Sequence, residues 1–236
     1  MTKYFFITGT DTNIGKTIAT CALLQAAIRA DYRAVGYKPV ASGCALTPDG
    51  PRNRDALVLM RSSNVDVSYN QVNPYPLRAP TAPHIASHDE GKSIDSNILS
   101  AGLLALGSIA NWVVVEGTGG WLTPLGLQYN YSDWVIMERL PVILVVGVKL
   151  GCINHALLTA SAVRQAGLNL IGWIANYPTT NSYRAQDYVM ALEQRLDTHL
   201  LGVIPWIQNA IDAPLSNYLN LSVLEKPYGV SESCCL

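Results

Sequence analysis

Six short apolar runs recur along this chain, at Tyr4–Thr8, Ala34–Lys38, Trp112–Glu116, Val142–Val148, Leu170–Ala175 and Leu200–Ile204. Most are apolar throughout and rich in Val and Ile, which marks strands covered on both faces, as in a parallel sheet. Between them the spacing predicts helices over Lys16–Arg29, Ile94–Ala110, Asp133–Leu140, Asn154–Ala166 and Tyr183–Leu196. Gly107, Pro141 and Gly167 fall close to helix ends, where a helix is expected to stop. Such alternation predicts an α/β fold: a doubly wound, mostly parallel sheet with helices on both faces and right-handed crossovers.

Residues Ala41 to Lys92 interrupt the alternation. They hold six of the thirteen prolines, and only Ala56–Arg61 reads as a short helix. A long irregular insertion is more often functional than inert, and this one falls at the carboxyl ends of the strands, where open α/β sheets bind ligands. No repeat or linker divides the chain, so one domain is expected over residues 1–225, with 226–236 as a flexible tail.

Composition narrows the function classes. With 49% hydrophobic and 14% charged residues the chain has the makings of a full core, against disorder. A net charge of −1 and no Lys/Arg block give no support to a nucleic-acid groove or a polybasic membrane surface. The most apolar run, Leu140 to Val148, is nine residues long and contains Pro141, whereas a membrane-spanning helix needs about 20. The start, MTKYFFITG, reads as a strand rather than a signal peptide. Cysteines 21, 44, 152, 234 and 235 include no C-x-x-C pair, which suits reduced thiols and a cytoplasmic protein.

The most specific local feature is Gly9-Thr10-Asp11-Thr12-Asn13-Ile14-Gly15-Lys16-Thr17, between the first strand and the first helix. It resembles a P-loop, with five residues instead of four between the first Gly and the Gly-Lys pair. Gly15 lets backbone N–H groups approach phosphate oxygens, and the helix start turns its positive dipole end toward them. Lys16 would reach the β/γ-phosphates and the Thr17 hydroxyl would ligate Mg²⁺, so ATP or GTP binding and a P-loop NTPase-like fold are expected. Glu116 ends a buried strand before Gly117-Thr118-Gly119-Gly120, where such a site keeps a carboxylate for the metal. Asp55 reads equally as a second metal ligand, a helix cap or a salt-bridge partner. Lys38, ending the second strand, is a second cation over the phosphates, a positioner of an anionic substrate, or a surface lysine.

Together these motifs resemble one family, the dethiobiotin synthetases, in a form close to the enterobacterial one. The carrying segments are GTDTNIGKT (9–17), GYKPVASG (36–43), RNRDAL (52–57), NPY (73–75), VVVEGTGGW (113–121), LPVILVVGVKLGCINHALLTA (140–160), GWIAN (172–176) and GVIPW (202–206). The resemblance implies an ATP- and Mg²⁺-dependent ligase that joins CO₂ to 7,8-diaminopelargonate and closes the cyclic urea of dethiobiotin, giving ADP and phosphate. A carbamate and then a carbamic-phosphoric anhydride are its implied intermediates.

The resemblance also implies residue roles. Asn13, Ile14, Gly15, Lys16, Thr17 and Ile18 match the triphosphate cradle; Thr17, Asp55 and Glu116 match the metal ligands. Lys38 and Lys16 match the catalytic lysines, Lys38 contacting the carbamate and the γ-phosphate. Glu116, Gly117, Thr118 and Gly119 line the nucleotide. Asn176 matches the adenine-reading amide, with Tyr177, the loop Pro205, Trp206 and Ile207, and Asp212 beside the base and ribose. Tyr177 stands where relatives often carry Asp, and Asp212 where they often carry Glu. Thr12, Lys38 and Ser42 match substrate contacts. Gly151, Cys152, Ile153 and Asn154, opening a helix, together with Tyr188, match the partner subunit's hold on the substrate carboxylate, which implies a homodimer with interfacial sites. Cys152 would act through its backbone rather than as a nucleophile, and His155 as a packing or capping residue.

Three other readings share parts of this pattern. A P-loop switch of the MinD/ParA type would share the fold, but no amphipathic C-terminal membrane helix or basic surface is present, and Asp11 stands where such switches commonly carry lysine. A cobyrinate-type amidoligase would need a glutaminase domain for which 236 residues leave no room. A paralogue acting on a different diamine would keep the P-loop but alter GYKPVASG or KLGCINHA, both intact here.

Overall fold

The computed structural model describes residues 2–180 and 183–225. The expected tail, 226–236, with Cys234 and Cys235, lies outside the described residues.

The chain begins with β1 (Lys3–Gly9), α1 (Lys16–Arg29) and β2 (Ala34–Tyr37). The insertion follows as β3 (Val40–Ala41), β4 (Ala45–Thr47), β5 (Gly50–Arg52), α2 (Arg54–Arg61), α3 (Tyr69–Val72), β6 (Tyr75–Pro76) and α4 (Pro83–Asp89). The rest alternates: α5 (Ser96–Ile109), β7 (Trp112–Glu116), α6 (Tyr131–Met137), β8 (Val142–Gly147), α7 (Cys152–Gln165), β9 (Leu170–Asn176), α8 (Ala185–Glu193) and β10 (Leu200–Ile204). Two 3₁₀ turns, Ala210–Asp212 and Leu215–Tyr218, and a short α9 (Ser222–Glu225) close the described chain.

All six strands read from the apolar runs join one sheet in the order β10-β9-β8-β1-β7-β2, and every pairing is parallel. Neighbouring side chains on a strand point to opposite faces. Phe5 packs on Trp112, which also meets Tyr32 just beyond α1, whereas Phe6 packs on Tyr131 of α6. Helices therefore cover both faces, and the doubly wound α/β fold holds. That double cover is why β7 and β8 are buried at every position and read as unbroken apolar runs. Helix and sheet pack closely at Gly36 of β2, where a Cβ would lie 2.8 Å from Leu59 of α2. Among the described residues no helix is long and apolar enough to cross a membrane.

Helix ends differ from the periodicity where caps decide them. α6 starts at Tyr131, not Asp133, because the Asp133 carboxylate accepts from the Asn130 N–H at 2.7 Å, as a residue in the first turn does. It ends before Leu140 because Arg139 takes a left-handed conformation, with φ 50°. α7 starts at Cys152, two residues early, behind Gly151 at φ 92°. The insertion holds more structure than one helix: β4 and β5 form a hairpin, and β3 pairs with β6. These strands are two or three residues long, too short for a periodic signal.

β1 sits between strands that the chain reaches in opposite directions, β7 and β2 on one side and β8 to β10 on the other. The loop after β1 thus opens at a topological switch point, where such sheets form their binding crevice.

Candidate active site

The loop Gly9–Thr17 rises from β1 into α1 in this crevice. Gly15 takes φ 93° and caps α1 with no side-chain hydrogen bond, so the first N–H groups of the helix stay available to an anion. The peptide is held from below: the Asn176 amide nitrogen, at the end of β9, donates to the Ile14 carbonyl at 2.8 Å. The fit is close enough that a Cβ on Gly15 would sit 2.2 Å from that nitrogen.

Four side chains meet beside the loop. Glu116 Oε1, at the end of β7, accepts from Lys38 Nζ at 2.6 Å and from the Thr17 hydroxyl at 2.9 Å. Lys38 Nζ also donates to the Gly117 carbonyl at 3.2 Å and lies 3.8 Å from Asp55 Oδ2. Lys38 and Glu116 are both buried. Glu116 Oε2 is buried without a hydrogen-bond partner. Lys16 Nζ folds back onto the Asp11 carbonyl at 2.8 Å. Burial, and then the nearby Lys38 ammonium, draw the Lys16 pKa down to about 8, with Glu116, Asp55 and Asp11 opposing the shift.

The oxygens fit Mg²⁺. Thr17, Asp55 and Glu116 offer a hydroxyl and two carboxylates, hard donors of the kind this ion takes, and the unpartnered Oε2 is free to ligate. Among the described residues no three His, Cys, Asp or Glu side chains converge as a metal-holding group.

The residues line a cleft of about 870 Å³. It brings together about half of the residues read from the sequence: Thr12, Asn13, Gly15, Lys16, Thr17 and Ile18 from the loop, and Lys38, Ser42, Asp55, Glu116, Thr118 and Gly119 around it. The Ser42 hydroxyl is buried there without a partner. Ile14 lies buried under the loop, and Gly117 contributes its carbonyl to Lys38. Ile18 continues into a smaller cleft of about 330 Å³ that includes Ile207 and Asp212. Tyr177, whose N–H donates to the Ile204 carbonyl, follows β9, and Pro205 and the half-exposed Trp206 follow β10. Gly151, Cys152, Ile153, Asn154 and Tyr188 line no part of their own chain's main cleft. Burial pushes the Cys152 thiol up, away from a reactive thiolate.

Periodicity and motif spacing missed the wall supplied by Pro80, Thr81 and Ala82 and the Asp11–Lys149 ion pair at 3.1 Å. They also missed Asn53, Tyr69 and Asn73, which hold the backbone around Lys38 and Asp55. Their signals were the RNRDAL and NPY segments and the length of the insertion.

A glycine-capped helix start, a buried Lys and a Thr–carboxylate pair at the switch point of a parallel sheet define a P-loop nucleotide-binding protein. Solved structures agree at the level of fold. The ParA family ATPase of Chlorobium tepidum TLS superposes with a TM-score of 0.57 at 15% identity, covering 95% of this chain and 92% of that one. The septum site-determining protein MinD of Pyrococcus horikoshii OT3, solved with Mg-ADP, gives 0.55 at 17% identity, covering 92% and 93%. A family profile described as an AAA domain matches residues 3–213. Sequence relatives are far nearer. The ATP-dependent dethiobiotin synthetase of Baumannia cicadellinicola subsp. Homalodisca coagulata is 59% identical over 224 residues, covering 95% of this chain and all of the relative. The enzyme named ATP-dependent dethiobiotin synthetase BioD 1 of Escherichia coli K12 is 54% identical over 225 residues, with the same coverage. The chain belongs to the ATP-dependent dethiobiotin synthetase family. Its likeness to the MinD and ParA switches is one of fold alone.

Proposed function

We propose that this chain makes dethiobiotin, joining CO₂ to 7,8-diaminopelargonate and closing the ring with ATP, as a Mg²⁺-dependent C–N ligase of biotin biosynthesis. The observation that carries the reading is the Lys38–Glu116–Thr17 cluster beside the glycine-capped loop, set in a chain this close to named dethiobiotin synthetases.

The reaction explains the cluster. One substrate amine takes up CO₂ as a carbamate, releasing a proton. A carbamate oxygen is a poor leaving group until it accepts the γ-phosphoryl group. The second amine then attacks the carbonyl carbon, and phosphate leaves. Two anions must be held together for the phosphoryl transfer, and the chain does so with cations in a largely buried cleft. Lys16 and the first amides of α1 hold the triphosphate. Lys38 leaves Glu116 for the carbamate and the transferred phosphoryl oxygens, while Thr17, Asp55 and Glu116 hold Mg²⁺. The metal supplies charge neutralisation at the phosphate oxygens. Ser42 and Thr12 contact the diamine. The Asn176 amide nitrogen is held by Ile14, so its oxygen is the group left to accept from the adenine amino group. Tyr177, Pro205 to Ile207 and Asp212 flank base and ribose.

The first turn of α7 supplies the other end of the substrate. Gly151, Ile153 and Asn154 present N–H groups suited to a carboxylate, the Cys152 N–H being taken by the Lys149 carbonyl at 3.0 Å, and Tyr188 accompanies them, from the partner subunit of a homodimer. Their absence from their own cleft supports this, as do Leu150 and Leu158, which are 86% and 62% exposed around this helix start. Residues 1–225 act as one cytoplasmic P-loop domain. The experiment is direct: incubation with Mg-ATP, bicarbonate and the diamine, with dethiobiotin sought by mass spectrometry. No such product would overturn the reading.

A pH effect follows from Lys16. Its folded pKa of about 8 lies below the ordinary 10.5, so the unfolded chain holds this proton more tightly and Lys16 makes stability rise with pH between those values. A bound triphosphate favours the charged lysine, so ATP binding near pH ~8.5 should take up protons, and affinity should fall as pH rises further. Titration calorimetry in two buffers of different ionisation enthalpy reads the uptake. It should vanish in Lys16→Met, and equal heats for the native chain would contradict the account.

A further inference from the structure

Between β2 and the start of α2 runs a buried chain of hydrogen bonds that the chemistry above does not use. Lys38 is held at both backbone groups by one short segment: its N–H donates to the Val72 carbonyl at 2.9 Å, and its carbonyl accepts from Asn73 Nδ2 at 2.6 Å. The other face of the Asn73 amide, Oδ1, accepts from the Tyr69 hydroxyl at 2.8 Å. That hydroxyl oxygen accepts in turn from the Asn53 N–H at 2.7 Å. Asn53 is the N-cap of α2, and its Oδ1 accepts from the Asp55 N–H at 2.9 Å. Asn53 Nδ2 donates to the Ser42 carbonyl at 3.3 Å.

The path thus joins the backbones of Lys38 and Asp55, the two groups whose charged ends lie 3.8 Å apart in the cleft, and it touches Ser42 on the way. The links through Asn73 and Tyr69 are buried, and those from Asn53 to Asp55 and Ser42 partly so. The Arg52 guanidinium lies 4.2 Å over the Tyr69 ring and fixes its plane. Burial also pushes the phenol pKa up, which keeps the hydroxyl a neutral donor and acceptor. At Tyr69 a single atom, the hydroxyl oxygen, both gives and takes.

We infer that the Tyr69 hydroxyl and the Asn73 carboxamide are positioning groups, setting Lys38 against Asp55 so that the ammonium that meets the carbamate and the carboxylate that would hold the metal face the same phosphoryl group. The inference rests on the roles given above to Lys38 and Asp55. It goes beyond them because neither Tyr69 nor Asn73 lines the cleft. Removing the hydroxyl leaves the Asn53 N–H and Asn73 Oδ1 both without partners, so the two backbones can drift apart while each catalytic side chain remains present.

The test is Tyr69→Phe, with Asn73→Asp as a second variant that keeps the acceptor for Tyr69 and loses the donor to Lys38. Lys38→Ala serves as the control. In Tyr69→Phe, kcat should fall about 10- to 100-fold, with KM for ATP within about threefold and Tm within a few degrees of the native chain. The Mg²⁺ concentration for half-maximal rate should rise, a change that simple loosening of the fold would not produce. Native kcat and Mg²⁺ dependence in Tyr69→Phe would overturn the inference. So would a collapse of Tm, or loss of folding in both variants, which would assign the hydroxyl to the fold. A Lys38→Ala control with native activity would instead remove the reading on which the inference rests.

Discussion

Lys38→Ala should lower kcat about 10³-fold while leaving KM for ATP within about threefold of the native value. The asymmetry follows from where the ammonium stands. In the proposed reaction Lys16 and the α1 amides would meet the triphosphate on one side of the cleft, whereas Lys38 approaches from the end of β2, within 3.8 Å of Asp55. In the free protein it lies 2.6 Å from Glu116 and is buried, so its charge is already desolvated and does not have to be stripped of water during the reaction. A cation in that position gains most when the carbamate and the moving phosphoryl group are both present, which is a transition-state interaction rather than one of ATP binding. Single-turnover measurements with saturating ATP separate the two. A parallel rise in KM for ATP with little change in kcat would place Lys38 on the triphosphate instead.

The second large effect is at Glu116. Alanine there removes an acceptor that reaches both Lys38 and Thr17, as well as the unpartnered Oε2. Turnover should be lost beyond detection, through the metal and through the misplaced lysine together. Stability should suffer too, because the buried ammonium loses its 2.6 Å carboxylate and keeps the Gly117 carbonyl at 3.2 Å and the half-exposed Asp55 at 3.8 Å, a change that typically costs about 3–5 kcal/mol. In a domain of this size that corresponds to a Tm lowered by roughly 10 °C. The double variant Lys38→Met with Glu116→Ala should recover most of that Tm without recovering activity, since removing both charges leaves nothing unpaired. If the single variant melts like the native chain, the buried pair is not as tightly coupled as the 2.6 Å contact indicates.

The sheet was legible because each of its strands is long enough, and buried enough on both sides, to write an unbroken apolar run; β7 and β10 match the expected bounds at both ends. Helix starts were less legible where one cap sets them, as Asn130 and Gly151 do. The P-loop, Lys38 and Glu116 stood out because chemistry leaves polar residues at the ends of apolar strands. The insertion was opaque for the opposite reason. Its two- and three-residue strands carry no period, and Tyr69 and Asn73 act through residues near in space but distant in sequence. Asp55 shows both limits: as a first-turn residue of α2 it reads as a helix-terminus acid, and only its 3.8 Å approach to Lys38 separates that from a site residue.

A dethiobiotin-forming ligase ties ATP cleavage to ring closure on a carboxylated diamine. Phosphate release from Mg-ATP, run with diaminopelargonate and bicarbonate together and with each left out, reads that coupling. Strong release is expected only with both present, matched one for one by dethiobiotin. Slow release indifferent to either compound would contradict it and would leave this P-loop with a different substrate.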